Sequence, residues 1–93
     1  MAHSLIGFNA KGDATKEEVK KTFREYRRDE INEEDYENLA EMRGIIFTDK
    51  VFNSYSECED YLSNLNNDFV LTAAKYYDEN KKLFWMLRGW VRS

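Results

Sequence analysis

Apolar and polar positions separate most sharply at the end of the chain, where FVLTAAKYYDENKKLFWMLRGWVRS, residues 69–93, shows two apolar-aromatic runs divided by a polar stretch. This segment contains no proline, which predicts a β-hairpin with strands Val70–Tyr77 and Leu83–Val91 and the turn Asp78-Glu79-Asn80-Lys81. Side chains alternate across a strand. Leu83, Trp85, Leu87 and Val91 therefore point one way, and Phe84, Met86, Arg88 and Trp90 the other. Both faces are rich in large apolar groups, whereas a sheet backed by helices on one side needs only one such face. The second must be covered by more of the chain, a second copy or a partner.

Upstream the period changes. Ser4–Asn9 reads as a short first strand weakened by Gly7. Thr15-Lys16-Glu17-Glu18 has the form of a capping box, in which hydroxyl and carboxylate each satisfy a free amide at a helix start. A helix from Lys16 to Arg28 follows, with Val19, Phe23 and Tyr26 on its inner stripe. Asn32 suits a second N-cap, and the pattern predicts a helix running to about Arg43 that buries Tyr36, Leu39 and Ala40 and ends in a left-handed cap at Gly44. The short link between them makes the pair an antiparallel hairpin. Ile45-Ile46-Phe47 starts a strand that either continues through Val51-Phe52 or turns back at Thr48-Asp49-Lys50, and the pattern leaves both open. Ser54-Tyr55-Ser56-Glu57 is another capping box, opening a helix with Cys58, Tyr61, Leu62 and Leu65 on one stripe and closed by Asn66-Asn67-Asp68. The order β?-α-α-β-α-β-β describes a single α+β domain over residues 1–93. It has two layers, with a small sheet of three to four strands, an N-terminal helical hairpin and one crossover helix.

Composition narrows the class. With 42% hydrophobic and 15% aromatic residues, 93 residues suffice for one core without staples. The single cysteine, Cys58, has no partner for an internal disulfide, and no Cys/His set offers a structural zinc site, so the chain reads as a cytoplasmic protein. Its N-terminus, MAHSLIGFNAKGD, fits neither a secretory signal nor an anchor, and no run reaches membrane-spanning length. The net charge of −4 has its acidic excess between Asp13 and Met42. That balance argues against a general nucleic-acid binder, which carries positive excess on its docking surface.

Candidate chemistry is sparse. His3, the only histidine, lies near the terminus and offers no credible base. Cys58 falls on the apolar stripe of a helix, where a thiol acts as a small hydrophobe. Gly7 and Gly12 have the spacing of a phosphate loop, but Asp13-Ala14 stands where Lys and Ser or Thr are needed. The segment Asp49–Asp60 lacks the glycine and the acidic spacing of an EF-hand. Glu33, Glu34, Glu37 and Glu41 read as a solvated face rather than a metal site. No catalytic residue, metal or cofactor is expected.

Two surfaces are candidates for binding. Lys20, Arg24, Arg27 and Arg28 form a basic stripe on the first helix that would suit phosphates, although pairing with Glu33, Glu34, Glu37 and Glu41 is the nearer reading, each exposed pair contributing at most about 1 kcal/mol. On the hairpin, Trp90, Arg88, Tyr76 and Arg92 combine the residue types enriched at binding hot spots, unless helices cover both sheet faces and leave only the arginine tips in water. The function expected is a small non-enzymatic module that binds and modulates or inhibits a larger protein through this aromatic and arginine surface, with Glu37 and Glu41 as a steering patch. By analogy, phages and mobile elements use such products against host machinery. The alternative is nucleic-acid or nucleotide binding through the basic stripe, and a homodimer is compatible with the first reading.

Overall fold

The computed structural model describes residues 3–29, 42–65 and 68–92. The polar turn folds the last two strands, β3 (Leu71–Tyr77) and β4 (Leu83–Arg92), into the expected antiparallel hairpin, with Ala73 opposite Leu87 and Lys75 opposite Trp85. The first strand, β1 (His3–Lys11), is longer than Ser4–Asn9 and pairs antiparallel with β4 along its whole length, from His3 opposite Arg92 to Lys11 opposite Phe84. Gly7 does more here than weaken a strand. A Cβ at this position would run into the carbonyl of Leu87, so the close approach of β1 to β4 requires the missing side chain.

The strand left open by the pattern continues. β2 (Ile45–Phe52) pairs parallel with β3 at Ile45–Phe47 and again at Val51 and Phe52, with a bulge between. Thr48 steadies the bulge, its Oγ1 donating to the Ala73 carbonyl at 2.7 Å and accepting from the Lys50 amide at 3.3 Å. The strand order is β1-β4-β3-β2, so β4 and β3 are central and β2 is an edge.

Both described helices start as the capping boxes dictate. In α1 (Lys16–Asp29) the Glu18 amide donates to Thr15 Oγ1 at 3.1 Å, and the Thr15 amide reaches back to the Glu18 carboxylate at 3.4 Å. In α2 (Tyr55–Ser63) the Glu57 amide donates to Ser54 Oγ at 3.2 Å. The expected second helix of the N-terminal hairpin falls largely outside the described residues. Its proposed end does not: Met42–Gly44 is irregular chain, and no glycine has a positive φ, so Gly44 is not the left-handed cap expected. Instead the Leu71 amide donates to the Gly44 carbonyl at 3.0 Å, and this stretch is already leading into β2.

The class is α+β, a small sheet with helix-on-sheet layering. The helices take opposite faces. Val19 and Phe23 of α1 pack with Phe8, Leu71, Ala73, Trp85 and Leu87 on one side, while Cys58 and Leu62 of α2 pack with Ala74, Tyr76 and Met86 on the other. These are alternate positions of the same strands, so the pleat itself divides the core in two.

Hairpin geometry leaves one local cost. Lys81 adopts φ 61°, a left-handed conformation that costs a residue with a Cβ about 1–2 kcal/mol. Asp78 Oδ1 holds the turn, accepting from the amides of Asn80 and Lys82 at 2.9 and 2.8 Å. Lys81→Gly should relieve the cost, partly offset by the freer unfolded chain, for a net stabilisation of about 0.5–1 kcal/mol. Thermal unfolding followed by circular dichroism should show a rise of a few degrees, about 4 °C or more per kcal/mol.

Candidate functional site

The hairpin residues expected to meet a partner turn out to be used mostly inside the molecule. Tyr76 is 5% exposed, its ring stacked on Phe84 with centroids 5.7 Å apart and edge-on to Tyr55 at 5.3 Å and 89°. Arg88, with 11% of its side chain exposed, donates from Nη1 to the Phe8 and Leu87 carbonyls and to Asn9 Oδ1, and from Nη2 to the Tyr55 hydroxyl at 3.0 Å. Its Nε lies 3.9 Å from Glu59. A buried guanidinium needs such a shell of acceptors, and here the guanidinium ties β1, β4 and α2 together. Trp90 is partly buried, its indole nitrogen donating to the Ser63 carbonyl at 2.9 Å. Trp85 is 4% exposed and donates to the Ala14 carbonyl at 2.9 Å. The aromatic surplus of the hairpin is therefore largely absorbed by the two helices. The side chain of Arg92, and Glu37 and Glu41, lie outside the described residues.

The basic stripe is also partly occupied. Lys20 pairs with Glu17 at 3.5 Å, and both Lys16 and Lys20 stand over the Phe47 ring at 5.7 and 5.9 Å. Arg24 is exposed, while Arg27 and Arg28 have side chains outside the described residues. Lys75 caps the Trp85 ring at 4.6 Å. These lysines shield aromatic surface from water as much as they offer charge to it.

Cys58 is wholly buried in the α2 core. Burial pushes its thiol up to about 11 from an ordinary 9.0, against the opposing pull of Arg88. Such a thiol is a packing group and a poor nucleophile at neutral pH. Among the described residues no three His, Cys, Asp or Glu side chains converge to hold a metal ion, and no helix is long and apolar enough to cross a membrane.

Among the described residues, what remains open lies toward the β2 edge, on both faces of the sheet. The large hydrophobic residues exposed among those described are Ile46 (48%), Val51 (52%), Tyr55 (41%) and Tyr77 (39%). Ile46 and Val51 sit on β2, Tyr55 begins α2 directly after it, and Tyr77 ends the neighbouring strand β3. A cleft of about 480 Å³ opens there, between the start of α2 and the β3–β4 turn, walled by Tyr55, Tyr76 and Tyr77 with Asp78 and Glu79 at its rim. It lies beyond the carboxyl ends of the parallel pair β2 and β3. Burial first, and Tyr55 next, raise the Tyr76 phenol above its ordinary value, so the hydroxyl bordering this cleft keeps its proton.

Sequence reasoning found Tyr76 but missed Tyr55, Tyr77, Ile46 and Val51. Asp49-Lys50 inside an otherwise apolar strand was the available signal, because charge in mid-strand marks a sheet edge. Compared with known proteins, the chain matches no protein-family model, no curated protein and no solved structure.

Trp90→Ala removes the bond that holds the end of α2 to β4, together with a half-buried ring. It should cost about 2 kcal/mol or more of stability, measured by urea unfolding, and so would not leave the fold intact as an interface probe should. The Cys58 thiol should react with a disulfide reagent far more slowly in the folded chain than in denaturant, since a two-unit rise leaves about 100-fold less thiolate. Because the folded value is raised, its stabilising contribution is complete below pH 9.0 and is lost as pH climbs toward about 11. Denaturant midpoints measured from pH 8 to 11 should fall, and fall less in Cys58→Ala.

Proposed function

We propose that this chain is a non-enzymatic protein-binding module that modulates a larger partner, and that the partner contributes an extended segment to the open edge of β2. The supporting observation is that the exposed large hydrophobics among the described residues gather along this edge and its continuation, at Ile46, Val51, Tyr55 and Tyr77. An edge strand presents unpaired amides and carbonyls on its outer side, and an added strand pairs with these while neighbouring side chains select its sequence. The other edge, β1, is different: its large apolar residues lean on the core, with Phe8 against Phe23 and Tyr26.

The bulge at Thr48–Lys50 divides the edge into two short stretches. A flexible partner segment can follow such an edge more easily than the rigid β2 of a second copy. Neither Trp90 nor Arg88 is needed as a primary anchor in this reading. Arg88 acts behind the surface, holding Tyr55 by its hydroxyl.

The double variant Ile46→Lys/Val51→Lys places charge on exposed positions and should leave stability within about 0.5 kcal/mol per site. Capture of a specific partner from lysate, identified by mass spectrometry, should drop at least about tenfold. In the complex formed by the unaltered chain, hydrogen exchange should slow at outward-facing β2 amides. Retained capture by the double variant, or protection confined to β1, would overturn the proposal. Light scattering at twice 11.1 kDa, abolished by the same substitutions, would assign the edge to a second copy instead.

A further inference from the structure

The cleft at the end of β2 has a chemical character distinct from the edge beside it. Tyr55 and Tyr76 meet at 89°, so two aromatic walls stand perpendicular. Tyr76 as a whole is only 5% exposed, and no hydrogen bond ties its hydroxyl to another described residue. A buried hydroxyl left without a partner is costly. This one borders the cleft, where an incoming group can supply the missing bond.

Charge gives the sign of that group. Asp78 uses Oδ1 for the turn amides and keeps its second oxygen, and Glu79 beside it is exposed with no cation within ion-pairing distance among the described residues. Aromatic faces also attract cations through their quadrupoles. Opposing influences are muted. Arg88 stands behind Tyr55 and close to Glu59, and Glu57 sits in the first turn of α2, where it offsets the positive end of that helix. Lys81 and Lys82, on the far limb of the turn, are exposed and therefore well screened.

We propose that this cleft receives the ammonium group of a lysine side chain carried by the partner polypeptide. Its alkyl stem lies against the Tyr55 ring, and its three donors reach the Tyr76 hydroxyl oxygen and the carboxylates of Asp78 and Glu79. The inference rests on the reading of β2 as the docking edge, since a strand added there and continuing past Phe52 would carry its next side chains over the cleft. It also supplies something the edge lacks, a polar contact that distinguishes one extended segment from another.

The cleft is testable without the partner. N-acetyl-lysine methylamide and its neutral isostere N-acetyl-norleucine methylamide are titrated into the full chain, with aromatic and amide resonances followed by NMR. The lysine compound should shift Tyr55, Tyr76 and Glu79 saturably in the millimolar range, and the norleucine compound should bind at least about fivefold more weakly. Glu79→Gln, an exposed change, should weaken the lysine compound about fivefold, and Tyr76→Phe should weaken it with the ring retained. Equal shifts by the two compounds, or shifts by the lysine compound that survive Glu79→Gln unaltered, would overturn the proposal. Lysine binding here with no strand captured on β2 would sustain the cleft and sink the edge, whereas capture on β2 without lysine selectivity would sink the cleft alone.

Discussion

The fold depends on a strand that must be buried on both of its faces. β4 is paired on each side, by β1 and β3, and its side chains alternate between two separate cores. Each face carries one tryptophan, and each indole N–H finds a backbone carbonyl at the end of the helix covering that face: Ala14 just before α1 for Trp85, and Ser63 at the end of α2 for Trp90. A buried indole needs an acceptor, and a helix end has carbonyls or neighbouring chain to offer. One requirement thus fixes the position of both helices against one strand.

This arrangement consumes most of the apolar and cationic material that the hairpin displays. Arg88 sits within the α2 layer because four acceptors from β1, β4 and α2 surround its guanidinium. Among the described residues, the large apolar groups left exposed are therefore found where the coverage stops, on β2 and next to its end. Among the described residues that strand is joined to the sheet on one side only, and α2 leans on β3 and β4 more than on β2.

Much of the local structure was legible in the residues. Thr15 and Ser54 announced both described helix starts, and the alternation from Leu83 to Val91 assigned each side chain of β4 to the correct face. A face, however, is a local property, whereas depth is set by what another part of the chain lays over it. Arg88 was placed on the right side, and both it and Tyr76 prove deeper than an anchor would be. Likewise, the continuation of β2 past Thr48 depends on a hydroxyl reaching the Ala73 carbonyl in another strand, a contact that no pattern within residues 45–52 encodes. The left-handed cap expected at Gly44 failed for a related reason, because its carbonyl is taken by Leu71 and the chain there is committed to the sheet.

The pairing of His3 with Arg92 joins the first described strand to the last. A ribosome making this polypeptide releases Leu5, Ile6 and Phe8 long before β4 exists to receive them, a wait of several seconds at ~5–20 residues per second. During that interval the nascent N-terminal segment has no sheet to join, and α1 lacks the strands that form its floor. Completion of the fold consequently waits for β4, gated by the slow closure that long sequence separation imposes. The same topology makes the two ends of the described chain a single cooperative seam.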